Sequence, residues 1–539
     1  MAFKVIFTTL LIEKSPQALP LGAACCASAV KQNPLTADLC NVELFAFNKE
    51  DDDFVKATST TPSPQIAGKF IAEKLLAKAP KLVTFSVFVW NRQILEEAAK
   101  ILHEKGILTM AGGPEITAHP SVFTVFDKVI SGEGESKVPP AIYELLTGKK
   151  TPTSKISPES QISESQIPQN SPYLDGTLDP KEYEGALWEL ARGCPFKCSY
   201  CYESKGEKTV RQFPMERIQK ELELFAQKEI PQVFVLDPTY NANKKRALEL
   251  INLIAKKTPN TFYYFEARAE FIDRELAHAF TKIPCALQIG LQSADENVCR
   301  LVNRPFNKKS FVRGINFLNQ EGVTFGLDVI FGLPGDSLRG YKDSVDFAIN
   351  LYPNNLELFC LSVLPGTDLF DRAESLHLNF EKEPPYHIIN TDKFSKADIQ
   401  TAREIAIACN FFYNDGRAVP WFKTICQALK CRPSQFFERF YRFYSNLPDA
   451  SKLCHQHKDI EKVQKDFVRL QLKEKRLDRL VNAALDIISF NGAMSRKTDT
   501  GLSETIELHY PPQYIDSEYS LNLDFFVNNV KMKSCKVSL

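Results

Sequence analysis

The stretch ELARGCPFKCSYCYESKG, residues 189–206, places three cysteines within eight residues, at Cys194, Cys198 and Cys201. Thiolates are soft ligands that bind zinc, copper(I) or iron–sulfur clusters. A structural zinc site takes four ligands, commonly as two pairs, and no partner pair lies near this triplet in the sequence. Three thiolates on a four-iron cluster leave one iron open to a substrate or cofactor. The spacing therefore predicts a cluster-binding loop, with a zinc knuckle or incidental cysteines as the alternatives.

Length and composition describe an ordinary globular protein. The 539 residues suggest about three or four domains. Lys+Arg and Asp+Glu are both 66, so net charge favours neither a nucleic-acid binder nor a polybasic membrane protein, and no nucleic-acid motif occurs. No apolar run reaches the ~18 residues of a spanning helix. The N-terminal run MAFKVIFTTLLIEKSP is typical of a first strand rather than a signal peptide, so we expect a cytoplasmic protein without a disulfide framework.

Residues 1–148 alternate strand-like and helix-like patterns, which predicts a doubly wound, flavodoxin-like parallel sheet. The predicted strands cover 4–12, 41–48, 81–90, 107–113 and 128–135. Glycines follow the fourth and fifth strands, at Gly112, Gly113, Gly132 and Gly134. Ligands of such sheets bind outside the carboxyl ends of the strands, and glycine allows close approach to the backbone.

Three further regions follow. Residues 149–182 are rich in Ser, Pro, Gln and Lys, which predicts a linker. Residues 183–389 carry six strand-like runs with helical patterns between them, which predicts a partial (β/α)6 barrel of the TIM-barrel type, with its chemistry at the carboxyl ends of the strands. Residues 390–539 are predicted to be mainly helical.

The cysteine spacing after a first barrel strand, with the aromatic Tyr200 before the last cysteine, resembles the signature of the radical S-adenosylmethionine (SAM) superfamily. This resemblance implies that the three cysteines hold a 4Fe–4S cluster whose open iron chelates the amino and carboxylate groups of SAM. An electron from the reduced cluster would then cleave SAM to a 5′-deoxyadenosyl radical.

The same resemblance implies SAM contacts on other strands. Glu266 and Arg268 in FEARAE would flank SAM, with Arg268 at its carboxylate, and a structural ion pair is the alternative. Asp237 in FVLDPTYN takes the place of the family's Gly-Gly-Glu contact to the SAM amino group, and that three-residue form is absent here. The remaining implied contacts are the ribose residues Gln292 and Ser293 in IGLQSAD, the adenine-side Asp328 in GLDVIFGLPGDS, and Tyr200.

The front region resembles a cobalamin-binding domain. The resemblance lies in SPQALPLGAACCASA (15–29), TFSVFVWNRQILEEAAKIL (84–102), AGGPEITAHP (111–120) and VISGEGE (129–135). It implies a cobalamin site formed by Ser86, Val87, Phe88, Trp90, Gly112, Gly113, Glu115, Gly132 and Glu133. The first loop, LIEKSPQALPLG, has no histidine, so cobalt would lack the axial ligand that many cobalamin proteins supply there. A flavin or nucleotide site, or a domain that no longer binds cobalamin, are the alternatives.

Together these resemblances imply an oxygen-sensitive enzyme of anaerobic type that cleaves SAM reductively and methylates an unactivated carbon with cobalamin. Non-methylating oxidative or cyclising chemistry is the alternative, followed by a non-catalytic cluster-binding protein. The implied partners are a small-molecule or peptide substrate and a low-potential electron donor such as flavodoxin or ferredoxin. Residues 390–539 resemble an uncharacterised extension of some anaerobic members, and no residue is singled out as catalytic.

Overall fold

A computed structural model describes residues 2–59, 62–151, 170–204, 209–447 and 456–539. These divide into two compact units. The first comprises Met1–Ala286, Ser362–Ser375 and Phe380–His387, and the second comprises Leu287–Leu361, Leu376–Asn379 and Ile388–Leu539. Most of the predicted linker, residues 152–169, lies outside the described residues. Its last part is packed, since Tyr173 is buried and its hydroxyl donates to the Leu187 carbonyl at 2.6 Å.

The front of the first unit is a parallel sheet with helices. Its strands are β1 (Phe3–Thr8), β2 (Leu10–Leu11), β3 (Cys40–Leu44), β4 (Phe47–Asn48), β5 (Leu82–Ser86), β6 (Leu108–Gly112) and β7 (Lys128–Val129). Its helices are α1 (Leu21–Gln32), α2 (Asp52–Thr58), α3 (Pro64–Leu76), α4 (Arg92–Glu104), α5 (Pro114–Ala118) and α6 (Val138–Thr147). The five-stranded sheet has the order β3-β1-β5-β6-β7, and β2 pairs with β4. This is the flavodoxin-like order, which confirms the predicted doubly wound sheet.

Both faces of this sheet are covered, because its strands are apolar on both sides. Ile6 of β1 belongs to a core with Phe85 and Leu95, while its neighbour Phe7 packs with Ala27 on the other face. Such near-continuous apolar runs are typical of parallel sheets covered on both faces. The strand predicted over 81–90 ends at Ser86, so residues 87–90 leave the sheet and enter the loop at its carboxyl edge.

The rest of the first unit begins the barrel region. Its strands are β8 (Ala186–Trp188), β9 (Ala191–Arg192), β10 (Arg211–Gln212), β11 (Gln232–Val235) and β12 (Phe262–Ala267), and its helices are α7 (Met215–Gln227), α8 (Lys244–Lys257) and α9 (Arg274–Phe280). Strand β11 lies between β8 and β12, and both pairs are parallel. One face of β12 is buried, at Tyr263 and Phe265, and the other carries the more exposed Tyr264 and Glu266.

The barrel region continues with β13 (Cys285–Gln292), α10 (Glu296–Leu301), α11 (Lys308–Glu321), β14 (Thr324–Phe331), α12 (Leu338–Asn350), β15 (Asn355–Cys360), α13 (Asp368–Asp371), β16 (Asn379–Phe380) and β17 (Ile388–Asn390). In the second unit β14 lies between β13 and β15. Among the described residues, neither set of barrel strands closes on itself, which agrees with the predicted partial barrel.

The C-terminal region is mainly helical, as predicted. Its helices are α14 (Lys396–Cys409), α15 (Phe422–Ala428), α16 (Pro433–Tyr444), α17 (His457–Glu474), α18 (Val481–Thr500), α19 (Pro512–Ile515) and α20 (Leu523–Asn529), and its strands are β18 (Thr505–Leu508) and β19 (Cys535–Ser538). Phe412 and Phe436 centre an aromatic core here, with their rings 4.9 Å apart. In the described part of the chain, no helix is long and apolar enough to cross a membrane.

Candidate active site

The three cysteines lie in the loop that follows β9, near the carboxyl end of the first barrel strand. Cys198 is buried, Cys194 and Cys201 are half-buried, and the Cys201 amide donates to the Cys198 carbonyl at 3.1 Å. Gly193 has a φ of +91°, and a Cβ atom there would lie 2.8 Å from the Thr209 carbonyl oxygen. Only glycine fits this turn, so the residue before the first cysteine fixes the path of the loop.

The donor set fits a soft metal cluster. Burial raises the pKa of Cys194, and it raises the pKa of Cys201 to about 11. Negative charge on Cys198 raises the pKa of both further, so the thiols are close enough to repel one another when ionised. Within the described residues, no group of three His, Cys, Asp or Glu side chains is arranged to hold a single metal ion. Binding of a positively charged cluster would offset the cost of ionising the three thiols.

An ion-pair network joins this loop to the loop after β7. Arg192, two residues before Cys194, contacts Glu135 at 2.8 Å, Glu189 at 2.8 Å and Glu133 at 3.3 Å. Arg211 of β10 also pairs with Glu133. Glu133 and Glu135 are the two acids of the Gly-Glu-Gly-Glu motif at residues 132–135. That motif therefore anchors the cysteine loop to the front sheet.

Asp237 is committed to the backbone beside the cysteine loop. Its Oδ1 accepts the amides of Leu190 at 2.8 Å and Ala191 at 2.9 Å. Arg246 donates to the Leu190 carbonyl from the opposite side at 3.3 Å. Burial raises the pKa of Asp237 to about 7. The residue predicted to contact the SAM amino group thus supports the start of the loop through one oxygen.

Arg268 lies against the cysteine loop. The Arg268 guanidinium is buried, 4.2 Å from the Phe196 ring between the first two cysteines, and it donates to Glu270 at 3.0 Å. Glu266 is exposed on the other face of β12. Glu270, which pairs with Arg268, stands in the same FEARAE run and was not among the predicted site residues.

The remaining SAM candidates are Tyr200 in the first unit and Gln292, Ser293 and Asp328 in the second. Tyr200 is half-buried within the cysteine loop. In the second unit, Gln292 ends β13 with a φ of +68°, a left-handed conformation that is costly for a non-glycine residue. Ser293 is buried, with its hydroxyl 3.5 Å from the Ser344 hydroxyl. Such backbone strain is often found at binding sites, so Gln292 remains a candidate ligand-binding residue.

Asp328 forms a polar group with Gln288, a residue that no motif in the sequence singled out. The Gln288 amide of β13 donates to the Asp328 carboxylate of β14. Burial, together with the negative charge of Glu357, raises the pKa of Asp328 to about 6. This cluster can bind hydroxyl or amino groups of a ligand, because it holds both amide donors and carboxylate acceptors.

The residues predicted to bind cobalamin lie at the carboxyl edge of the front sheet. Val87 is buried, while Phe88 and Trp90 stack with ring centroids 4.5 Å apart. Trp90 is 41% exposed and its indole donates to the Leu10 carbonyl at 3.1 Å. Ser86 ends β5, and its carbonyl accepts the side chains of two residues at the turn. The edge thus carries a partly exposed aromatic pair whose position is fixed by stacking and by the Trp90 hydrogen bond.

The glycines fit this site better than the glutamates do. A Cβ at Gly112 would meet the Ile130 carbonyl oxygen at an ordinary contact distance of 3.6 Å, whereas Gly132 and Gly113 have φ of +79° and +107° with Lys137 Nζ and the Val87 carbonyl oxygen 3.1 and 2.6 Å from where a Cβ would be. Glu133 pairs with arginines of the cysteine loop region, as described above. Glu115 is buried and accepts the Tyr386 hydroxyl at 2.8 Å. Both glutamates are therefore held by protein partners.

Further residues at this edge were missed because their signals are weak. Asn91 is buried and its amide reaches Thr9 at 3.1 Å and the Leu10 carbonyl at 3.2 Å, which ties β1 to β5 at the switch point of the sheet. Arg92 donates to the Tyr386 hydroxyl at 2.7 Å. A single Asn after a strand is a recognisable turn signal. No local pattern identifies Tyr386 as a partner, since it lies 294 residues from Arg92 in the sequence.

Two family models match this chain. Residues 188–348 match the radical SAM superfamily, and residues 374–504 match a protein family of unknown function, DUF4080. The first match covers the cysteine loop and the strands up to α12, which confirms the predicted radical SAM region. This domain implies a 4Fe–4S cluster and SAM.

Known proteins are similar to this chain over larger parts of its length than the radical SAM family model covers. The cobalamin-dependent radical SAM methyltransferase TokK of Streptomyces tokunonensis is 25% identical over 334 residues, which is 54% of this chain and 48% of TokK. The chain spans about half the length of the curated relatives it matches first. The structure of TsrM from Kitasatospora setae with cobalamin and a [4Fe-4S] cluster has a TM-score of 0.53 at 15% identity, over 74% of this chain and 84% of that one. The structure of the cobalamin-dependent radical enzyme OxsB with aqua-cobalamin has a TM-score of 0.56 at 14% identity, over 98% and 85%.

Proposed function

Since this chain carries a radical SAM domain over residues 188–348, we propose that it is a cobalamin-dependent radical SAM methyltransferase. In this proposal the 4Fe–4S cluster and SAM bind at the cysteine loop, and cobalamin binds at the carboxyl edge of the front sheet. The methyl group goes to an unactivated carbon of a small molecule or peptide. The name of TokK and the bound groups of TsrM and OxsB support this assignment.

One observation carries the two-cofactor assignment. Arg192 stands directly before Gly193 and Cys194, and it is bonded to Glu133 and Glu135 in the loop after β7. The predicted cluster site and the predicted cobalamin edge are thus joined by direct ion pairs between their own loops. Two cofactors that act on one substrate need such a fixed arrangement, because misplaced reacting groups lose rate steeply.

When bound, the cluster with SAM supplies a radical generator, and cobalamin supplies a methyl carrier. The chain's own side chains hold and orient these groups. Cys194, Cys198 and Cys201 are the cluster ligands. Arg268, fixed by Glu270, offers a guanidinium suited to a carboxylate such as that of SAM.

Residues next to the two predicted cofactor sites would hold the loops and the cofactors in place. Asp237 holds the backbone at the start of the cysteine loop, and Phe88 with Trp90 would shield one face of the corrin ring from water. In the second unit, Asp328 and Gln288 form a polar group of their own that can accept and donate hydrogen bonds. No histidine is available from the first loop, so we expect cobalt to lack an imidazole from that position.

The test is anaerobic reconstitution of the full chain with iron, sulfide and hydroxocobalamin, followed by desalting and metal analysis. We expect about four irons and about one cobalt per chain. The triple variant Cys194→Ala, Cys198→Ala, Cys201→Ala should lose the iron and keep the cobalt. Trp90→Ala should weaken cobalt retention and keep the iron. Cys535→Ala, a half-buried cysteine outside the loop, is the matched control and should keep both.

Methyl-labelled SAM then tests the reaction. The reduced, reconstituted protein should cleave SAM and retain label on the bound cobalamin after desalting. Iron without cobalt would overturn the cobalamin assignment and leave a radical SAM enzyme of another type. SAM cleavage without label on cobalamin would overturn methyl transfer and favour non-methylating chemistry.

A further inference from the structure

Two cysteines occupy the contact positions at the C-terminal end of α15. The helix ends at Ala428, and Lys430 has a φ of +47°. The Cys431 amide donates to the Cys426 carbonyl at 3.1 Å, and the Lys430 amide donates to the Gln427 carbonyl at 3.0 Å. These two bonds define a Schellman motif. In that motif the side chains at the positions of Cys426 and Cys431 touch, usually as an apolar pair.

Here the touching pair consists of two thiols. Cys426 is buried at 4% exposure, and Cys431 is half-buried. A hydrogen bond joins the two thiols, so the two sulfurs are in contact. A turn closed within six residues is compatible with the Cα separation of a disulfide, about 4.4–6.8 Å.

The surroundings of Cys426 and Cys431 shift the pKa values of the two thiols in opposite directions. A hydrogen bond from the Cys426 thiol lowers the pKa of Cys431, and the positive charges of Arg439 and Lys475 lower it further against burial and the charge of Asp346. Burial raises the pKa of Cys426 well above its usual value. Lys475 is held at this site, since its ammonium donates to the Leu429 carbonyl. Cys431 is thus the more nucleophilic and more accessible sulfur.

We propose that Cys426 and Cys431 form an oxidisable dithiol in the C-terminal region, which a peroxide converts to an intramolecular disulfide. The Cys431 thiolate attacks hydrogen peroxide, forms a sulfenic acid and releases hydroxide. The Cys426 sulfur then attacks the sulfenic sulfur, the S–O bond breaks, and the thiol proton leaves with the hydroxyl as water. Two thiols lose two electrons, and one peroxide is reduced. A dithiol such as dithiothreitol reverses the change.

The arrangement differs from that of the other buried cysteines. Cys409, for example, is fully buried and its thiol donates to the Leu356 carbonyl at 3.7 Å. The cysteines of the loop at 194–201 are spaced for a cluster and lie in the other unit. The pair at α15 is thus a separate modification site in the region matched by the family of unknown function.

The test is oxidation of the anaerobically reduced full chain with increasing hydrogen peroxide, followed by an acid quench, alkylation of free thiols and tryptic digestion without reduction. Cleavage after Lys423, Lys430 and Arg439 separates the two cysteines into peptides 424–430 and 431–439. We expect these peptides to become linked, with a mass two hydrogens below their sum, while the Cys409 peptide stays alkylated. Dithiothreitol should restore both separate peptides.

Two variants and the wild type together keep the test decisive. Cys426→Ser should trap the Cys431 sulfenic acid, which dimedone labels, and Cys431→Ser should abolish both the linked peptide and the dimedone label. The wild-type mass measurement stands without the variants if either fails to fold. The proposal is overturned if both thiols stay alkylatable while Cys409 is oxidised. It is equally overturned if Cys431 passes to sulfinic acid with no linked peptide.

Discussion

At the scale of single residues, the candidate site is supported by buried polar groups with defined partners. Asp237 shows this most plainly, because one carboxylate oxygen holds two amides at the start of the cysteine loop. A buried carboxylate is costly to ionise, and its two backbone bonds offset only part of that cost. The residue therefore links the acidity of the medium to the stability of the loop.

Asp237→Asn should change how stability depends on pH. Burial raises the pKa of Asp237 from 3.8 to about 7, so the folded chain keeps a proton that the unfolded chain loses between these values. The free energy of unfolding supplied by this group is fully present below about pH 4 and falls as pH rises to about 7. Asparagine keeps the acceptor oxygen and cannot ionise. The variant should therefore gain on the wild type by up to about 4 kcal/mol between pH 4 and pH 7.

Urea unfolding at three pH values, on the chain without added iron or cobalamin, measures this difference. Asp516→Asn makes the same change of charge at an exposed position and serves as the control. A difference between variant and wild type that stays constant with pH would contradict a buried, proton-holding Asp237.

At the scale of secondary-structure elements, the front sheet depends on the close approach of its carboxyl ends. Strand β6 passes to α5 through Gly112 and Gly113, directly beside Val87, the residue that follows β5. Gly113 combines a φ of +107° with a ψ of 179°, a region that only glycine adopts readily. The motif read in the sequence as a ligand contact thus also has a structural reason for its second glycine.

Gly113→Ala should unfold the edge of the sheet at lower urea. Its Cβ would lie 2.6 Å from the Val87 carbonyl oxygen, so backbone strain and a backbone clash add together. We expect a loss of about 3 kcal/mol in unfolding free energy, together with loss of bound cobalt. Gly106→Ala is the matched control, since Gly106 has a φ of +74° with open space around it, and it should lose about 1 kcal/mol and keep cobalt. Equal losses in the two variants would refute the close packing of β5 and β6.

At the scale of the whole molecule, the first unit is completed by chain that returns from far along the sequence. Residues 362–375 and 380–387 belong to this unit. The Leu369 amide donates to the Ser199 carbonyl in the cysteine loop at 2.8 Å, and Phe370 packs on His119 at 5.3 Å. Tyr386 closes the arrangement by bonding to Arg92 and Glu115 of the front region. The returning segments thus contact both predicted cofactor loops.

Tyr386→Phe should loosen this closure. The hydroxyl accepts from Arg92 at 2.7 Å and donates to Glu115 at 2.8 Å, so its removal takes one hydrogen bond from half-buried Arg92 and one from buried Glu115, which keep their 3.5 Å ion pair. We expect a loss of about 2 kcal/mol in unfolding free energy, measured by urea unfolding. Tyr514→Phe, at a tyrosine 39% exposed, should cost almost nothing. A Tyr386→Phe variant as stable as the control would show that the segment docks without this bond.

Local patterns explain what could be predicted from the sequence. Strand and helix alternation gave the flavodoxin-like order and the partial barrel, because apolar periodicity reflects which face of each element is buried. The cysteine spacing located the loop matched by the radical SAM family. Strand ends were predicted less well, as at residues 87–90, because apolar side chains continue into the loop that forms the edge of the sheet.

Partners distant in sequence could not be predicted in this way. The Tyr386 hydroxyl, for example, donates to Glu115, a residue 271 positions away in the sequence. Glu133 was assigned to a ligand, and its partners in the fold are Arg192 and Arg211. The sequence around a glutamate does not identify its ion-pair partner, because any arginine that the fold brings close can pair with it.

The sequence by itself determined which candidate cofactor-binding residues the chain carries and which strands and loops position them. Three thiols in one short loop and glycines after parallel strands act through neighbours a few residues away, and such spacing is visible in the chain. Only the tertiary structure decided that the Gly-Glu-Gly-Glu loop forms ion pairs with Arg192 and that the Tyr386 hydroxyl donates to Glu115. The same is true of Asp237, which accepts two amides at the start of the cysteine loop. These contacts form because folding buries charges that must find partners, and which partners come within reach depends on how whole surfaces pack.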